Sequence, residues 1–199
     1  MLDRLARACV LASTLHADQR RKGTDIPYIS HLLAVCSLVL ENGGDEDQAI
    51  AALLHDAVED QGGLPTLQRI REAFGSRVAA LVMGCTDAAA GREQMKPAWR
   101  VRKIAFVQRL RIAPADVALV VACDKLHNLR CLVSDVEREG PSTLTRFSHP
   151  AELAWYFGSI IDALDRFRDR VPLCEIERLH GRLRALTRGI ELPAGSAHG

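Results

Sequence analysis

The sequence predicts an all-α protein, a single globular bundle of roughly eight to ten helices. Three observations carry this expectation. Apolar residues recur every three or four positions through most of the chain, glycine, proline and polar clusters interrupt these segments at helix-length intervals, and no convincing period-two strand pattern survives. The 199 residues, 48% apolar and 26% charged, suffice to bury a core. Residues 1–190 read as one domain and 191–199 as a flexible C-terminal tail.

Leu2, Leu5, Ala6, Cys9, Val10 and Leu15 alternate with charges at helical spacing and predict a first amphipathic helix over residues 2 to about 20. His16, near its end, is expected to be structural. Arg20, Arg21 and Lys22 then stand in a row before Gly23, forming a loop able to present charge to a phosphate. Pro27 holds the following residues extended, and Ser30 is the expected N-cap of a helix opening at His31. Leu32, Leu33, Val35, Leu38, Val39 and Leu40 continue that helix to Gly43-Gly44. His31 therefore falls at a loop-to-helix junction, where its side chain can point into a cleft.

From Asp45 an acidic start leads into alanines and leucines, with no glycine or proline until Gly62, which predicts one continuous helix. Residues four apart share a helical face, so His55 is expected over Glu59 and Asp56 over Asp60. Carboxylates this close either occupy a solvated face or gather around a cation. Leu53, Leu54, Ala57 and Val58 leave little of the helix purely polar, which favours the cation.

Gln61 to Thr66 reads as a turn, with Thr66 capping a short helix through Leu67, Ile70 and Phe74. Another helix is expected from Ser76 to about Thr86. Asp87 to Pro97 lacks a sustained apolar face and reads as a loop. Trp99 to Arg111 is a basic amphipathic helix whose charges are expected to face solvent. Pro114 starts a long helix in which Asp124 follows seven apolar residues, Val117 to Cys123. Asp124 should thus be buried, and a cation or hydrogen-bond donor must meet it. Asn128 lies one turn further on the same face. Glu152 to about Arg170 and Pro172 to about Ile190 are the last two predicted helices.

A net charge of +1 and a pI near 7.7 give no support for general nucleic-acid binding, and 5% aromatics would make stacking platforms sparse. No apolar run approaches the roughly 20 residues that cross a bilayer, and Met1-Leu2-Asp3-Arg4 lacks a signal-peptide layout. The expectation is a cytoplasmic protein with no membrane partner, its oligomeric state unread. The six cysteines form no C-x-x-C pair and read as reduced packing thiols.

His31, the adjacent pair His55-Asp56, and Asp124 stand out as able to converge. Two imidazoles and two carboxylates suit a divalent transition ion such as manganese, iron or zinc better than calcium.

Several segments together resemble the HD-domain superfamily, whose pattern is H…HD…D, and within it the hydrolase domain of RelA/SpoT proteins and the small alarmone hydrolases, including the metazoan SpoT homologue. They are Gln19-Arg20-Arg21-Lys22, Pro27-Tyr28-Ile29-Ser30-His31, Ala51 to Asp60 with its His55-Asp56-Ala57-Val58-Glu59-Asp60, Phe74-Gly75, Thr86-Asp87, and Asp124-Lys125-Leu126-His127-Asn128-Leu129-Arg130. The resemblance implies an HD-type bundle in which His31, His55, Asp56 and Asp124 bind manganese. It also implies that Glu59 and Asp60 orient or activate water, and that Arg21, Lys22, Asn128 and Tyr156 lie against a nucleotide. The implied reaction removes pyrophosphate from the ribose 3′ position of guanosine tetra- or pentaphosphate, returning GDP or GTP. Two other readings use the same residues differently: a phosphatase on NADPH or another nucleotide, and a non-catalytic module binding nucleotides or a protein through the basic helix near Arg102. Glu59-Asp60 speaks against the last, since a binding module has no use for a water-activating pair.

Overall fold

The computed structural model describes residues 2–87 and 97–191. Most of the expected Asp87–Pro97 loop, and the tail beyond residue 191, lie outside the described residues. Among the described residues ten α-helices run in order: α1 (Leu2–Leu15), α2 (Ile29–Glu41), α3 (Glu46–Leu54), α4 (Ala57–Asp60), α5 (Gly63–Phe74), α6 (Ser76–Cys85), α7 (Trp99–Ile112), α8 (Ala115–Glu139), α9 (Leu153–Leu164) and α10 (Leu173–Leu186). Short 3₁₀ segments lie at Pro141–Arg146, Pro150–Glu152 and Asp165–Arg170. No strand occurs among the described residues; Arg20 and Pro27 form an isolated bridge across the basic loop.

The core is organised on α3 and the first half of α8. In α3 every residue from Ala49 to Leu54 is fully buried, enclosed by α1, α2, α6 and α8. Asp45 opens α3 with a capping box: its carboxylate accepts the Gln48 backbone N–H at 3.0 Å, and the Gln48 amide oxygen accepts the Asp45 N–H at 3.0 Å. Gln48 also donates to the Asp116 carbonyl at 3.2 Å, tying the start of α3 to the start of α8. In α8 all residues from Val117 to Asp124 are buried, in a helix packed against α2, α3 and α6. That burial explains the unbroken apolar run before Asp124.

Besides α1, which ends at Leu15 and not near residue 20, four expectations change. The helix carrying His55 is not continuous: it is interrupted at His55-Asp56 and resumes as α4. Both residues keep right-handed dihedrals, and the His55 ring nitrogen Nδ1 bonds the Ala52 carbonyl at 2.8 Å. Second, α2 begins at Ile29, with Tyr28 rather than Ser30 in the cap position. Third, α5 begins at Gly63, so Thr66 sits inside it and its hydroxyl donates back to the Gln61 carbonyl at 2.5 Å. Gly62, at φ 107°, makes the turn that permits this early start, a conformation disfavoured for other residues. Fourth, the helix expected over Glu152–Arg170 divides into 3₁₀, α and 3₁₀ pieces, with Phe167 at non-helical angles, and α10 stops at Leu186.

All six cysteines are free thiols; Cys36 and Cys123 are buried in the core, whereas Cys174 is exposed. No helix among the described residues is long and apolar enough to cross a membrane.

Candidate metal centre

The four residues singled out for a cation come together from three parts of the chain. His31 enters from α2, His55 and Asp56 from the break between α3 and α4, and Asp124 from the buried half of α8. The His31 Nε2 is 3.2 Å from Asp124 Oδ1 and 3.8 Å from Asp56 Oδ2. The His55 Nε2 is 3.0 Å from Asp56 Oδ2 and 3.6 Å from Asp124 Oδ1. His31, His55 and Asp56 each offer a ligand atom within 4.8 Å of the others. His31 is only 1% exposed, so it is a buried member of the centre and not the cleft-facing side chain expected of a helix start. Asp56 is the most open of the four.

The surroundings fix the donor atoms. With His55 Nδ1 spent on the Ala52 carbonyl, its Nε2 faces the carboxylates, buried and without a hydrogen-bond partner. The Tyr28 hydroxyl donates to Asp56 Oδ2 at 2.5 Å, and Asn128 Nδ2 donates to Asp124 Oδ1 at 2.6 Å. Lys125 Nζ meets the other Asp124 oxygen at 2.6 Å. An orphaned imidazole nitrogen facing two carboxylates is a donor set of the kind that holds a divalent transition ion; His31, His55 and Asp56 fit one, with Asp124 Oδ1 3.2 and 3.6 Å from the two imidazoles.

The charges follow from burial and from each other. Burial lowers the His31 pKa. Burial would lower that of His55 too, but Asp56 and Asp124 outweigh it and hold its imidazole well above the ordinary value. Burial would raise the two carboxyls. For Asp56 the His55 charge reverses this, and for Asp124 the Lys125 ammonium does so with help from both imidazoles, leaving both below the usual range. In the ion-free protein a proton on His55 thus stands where a cation would.

Glu59 and Asp60 line the same acidic pocket of about 200 Å³ as Asp56 and Asp124, but they diverge from one another. Glu59 accepts the Asp87 backbone N–H at 3.3 Å and lies 3.9 Å from the Arg102 guanidinium. Asp60 accepts from the Gln19 amide at 2.8 Å. That amide is oriented by two contacts on its oxygen, His16 Nδ1 at 2.6 Å and the Gln61 amide at 2.7 Å. Both acids are held above their ordinary pKa. Burial is the main cause for each; Lys103 opposes it at Glu59, and Asp56 adds to it at Asp60.

A second cavity, of about 270 Å³, adjoins the acidic pocket and shares Tyr28, Lys103, Lys125, Asn128 and Tyr156 with it. Arg21 and Lys22 line its outer part. Arg21 donates to Asn128 Oδ1 at 3.2 and 3.3 Å, so Asn128 connects the basic loop to Asp124. Lys22 reaches Ser148 Oγ at 3.4 Å. Tyr156 is buried between two ammonium groups, with Lys103 Nζ 5.0 Å and Lys125 Nζ 5.7 Å from its ring centre. Of the ten residues singled out from sequence, eight line one or both of these cavities, and His31 and His55 lie buried against Asp56 and Asp124.

The structure adds residues that sequence reading passed over. Arg102 and Lys103, expected to be solvated, turn inward onto Asp87, at 3.2 and 2.6 Å. Tyr28 and Gln19 are two further ones; Tyr28 lies one helical turn before His31, a spacing that points to it. Lys125 is committed to Asp124, whereas Arg130, its companion in the same segment, pairs with Glu175 at 2.9 Å on the outside. His16 stacks on Tyr28, with ring centroids 5.3 Å apart.

The comparisons agree with this geometry. The sequence matches the HD domain family over residues 8–149. It is 36% identical over 133 residues to a Synechocystis sp. protein named a probable guanosine-3′,5′-bis(diphosphate) 3′-pyrophosphohydrolase, covering 64% of this chain and 16% of that one. It is 37% identical over 126 residues to a Mycobacterium leprae protein named a probable GTP pyrophosphokinase, covering 63% of this chain and 15% of that one. The chain thus spans about one sixth of the length of these relatives. Among solved structures, a metazoan SpoT ortholog described as hydrolysing ppGpp superposes with a TM-score of 0.67 at 23% identity, covering 93% of this chain and 94% of that one; at this identity the likeness concerns the fold. With a family match across most of its length and the H…HD…D residues gathered in one centre, the chain belongs to the HD domain family.

Proposed function

We propose that the protein is a manganese-dependent hydrolase that removes the 3′-pyrophosphate of guanosine tetra- or pentaphosphate, releasing GDP or GTP. The observation that carries this reading is the adjacency of two chambers: an acidic pocket lined by Asp56, Glu59, Asp60 and Asp124, with His31 and His55 buried beside it, shares part of its wall with a cavity lined by cations and aromatic rings. A nucleotide with a phosphorylated 3′ position needs both, one chamber for the reacting phosphate and one for the rest of the anion. The relative named as a pyrophosphohydrolase supports the choice of substrate.

When bound, the divalent cation supplies Lewis-acid polarisation of a phosphoryl oxygen and acidifies water. The chain's own residues do the rest. Arg21, Lys22 and Asn128 hold the nucleotide at the outer part of the cavity, and Tyr156 packs beside it. Glu59 or Asp60 takes a proton from the attacking water as its oxygen bonds to phosphorus, and a proton returns to ribose O3′ as the bond from phosphorus to O3′ breaks, leaving the 3′-hydroxyl of GDP or GTP. Their raised pKa suits this, because a base must be able to keep the proton it takes.

The test is product identity. Purified protein with manganese is incubated with guanosine tetraphosphate and, separately, NADPH. Pyrophosphate and GDP from the first is the expected result. Orthophosphate from NADPH with intact tetraphosphate would replace this reading by that of a nucleotide phosphatase, and no turnover of either would favour a binding module.

A further inference from the structure

His127 lies outside the four-residue centre but touches it. It follows Asp124 by three residues on α8, and its Nδ1 is 2.8 Å from the Nδ1 of His31, with ring centroids 4.9 Å apart at 45°. Two ring nitrogens at this distance share one proton, so one ring donates and the other accepts. The far side of His31 decides which. Its Nε2 points at Asp124 and Asp56, and a nitrogen that binds a cation must offer a lone pair there. The proton of neutral His31 is then on Nδ1, and His127 Nδ1 is its acceptor. The proton of His127 is left on Nε2, 3.8 Å from the Cys131 sulfur.

The two imidazoles of the centre are thus oriented by different means. His55 uses the Ala52 carbonyl, a backbone group that no substitution removes. His31 uses a side chain. We propose that His127 is a positioning residue for the metal centre: it accepts the Nδ1 proton of His31 and thereby aims the His31 Nε2 lone pair at the cation, touching neither cation nor substrate.

The proposal implies a rearrangement on loading. Without a cation, Nε2–H of His31 can donate to Asp124 Oδ1, and His31 Nδ1 then accepts from His127 Nδ1–H. On loading, one proton leaves His31 Nε2, one crosses from His127 Nδ1 to His31 Nδ1, and one enters at His127 Nε2. The direction of the bond between the rings reverses, and the pair's proton count is unchanged.

This inference rests on the reading of the centre as a cation site, and its test needs no nucleotide. Manganese affinity is measured by electron paramagnetic resonance of the free ion for the wild type, His127→Leu and His127→Asn, with folding checked by circular dichroism. Leucine keeps volume without an acceptor, whereas the asparagine Oδ1 can occupy the place of the lost Nδ1. The leucine variant is expected to bind manganese about ten- to a hundredfold more weakly, and the asparagine variant to recover to within about threefold of wild type. Should leucine not fold, His127→Ala takes its place with the same expectation, since the site is only half-buried. Wild-type affinity in the leucine or alanine variant, or equal losses with asparagine, would overturn the proposal and assign His127 to packing. A wild type that binds no manganese would overturn it together with the cation site, whereas tight manganese binding without hydrolysis would refute only the proposed activity.

Discussion

Replacing Lys125 by methionine removes an ammonium that lies 2.6 Å from Asp124 Oδ2, its side chain only 15% exposed between the rings of Phe106 and Tyr156. At an effective dielectric of about 20, opposite charges this close attract by about 6 kcal/mol, much of it offset by their desolvation. Removing one partner of such a buried pair costs about 3–5 kcal/mol, because the other charge stays behind. Methionine keeps the stem and most of the volume, so packing changes little. At about 2–4 °C per kcal/mol for a chain of this size, the ion-free variant should melt about 6–20 °C below the wild type.

The sign of the pH dependence follows from the two shifts. Burial would raise the Asp124 pKa, but Lys125 and the imidazoles hold it well below the ordinary value. Its stabilisation is therefore present above the unfolded value of about 4 and lost as pH falls through the lower folded one. Burial would lower the Lys125 pKa, but Asp124 holds it well above the ordinary value, so its contribution is present below about 10 and lost only at higher pH. The gap between wild type and variant should be flat from about pH 5 to 9 and should narrow in acid. Manganese should then stabilise the variant more than the wild type, since a cation takes over the charge that Lys125 neutralised. Calorimetry of chelator-treated protein across this range, repeated with manganese, measures both. A melting temperature within about 2 °C of wild type at pH 7, or a gap that widens in acid, would refute the reasoning.

Asp60→Asn should keep bound metal and lose turnover, whereas His55→Ala should lose both; equal metal loss by elemental analysis would show that Asp60 belongs to the centre itself. Burial holds Glu59 and Asp60 above the ordinary carboxyl value, so a base drawn from this pair is disabled as pH falls through a value above about 4. The acid limb of the kcat profile should lie above that value, and a limb at or below it would exclude both as the base. Gly84→Ala would place a Cβ 2.8 Å from Val117 Cγ2, where α6 meets α8. The overpacking should cost about 1–3 kcal/mol, read as a lower melting temperature, and an unchanged one would mean that the contact relaxes freely.

What could be read from the sequence was what depends on near neighbours. Helical spacing placed α1, α2, α7 and α8, and the seven apolar residues before Asp124 required its burial and a partner for its charge. What could not be read depends on distant groups. Arg102 and Lys103 turn inward because Asp87, some fifteen residues earlier, stands within reach. Tyr28 meets a carboxylate on Asp56, and His127 meets a ring on His31, 96 residues away. The break at His55-Asp56 is a case between these. Its dihedrals stay right-handed, so no glycine or proline marks it, yet it lets Glu59 and Asp60 diverge to separate partners instead of stacking beneath the two residues before them.

That divergence explains how one pocket accommodates so many acids. Asp56, Glu59, Asp60, Asp87 and Asp124 all line it, and without compensation they would repel each other and any phosphate. Each has its own partner: Tyr28 for Asp56, Gln19 for Asp60, Lys103 and Arg102 for Asp87, Lys125 and Asn128 for Asp124. Glu59 has the weakest set, a 3.3 Å backbone contact and a guanidinium at 3.9 Å, and it remains the acid freest to take up a proton. Lys103, Lys125 and Asn128 also face the outer cavity. The groups that make the acidic pocket tolerable are therefore the ones an incoming phosphate would meet first, so the compensation of one chamber and the anion affinity of the other come from the same side chains.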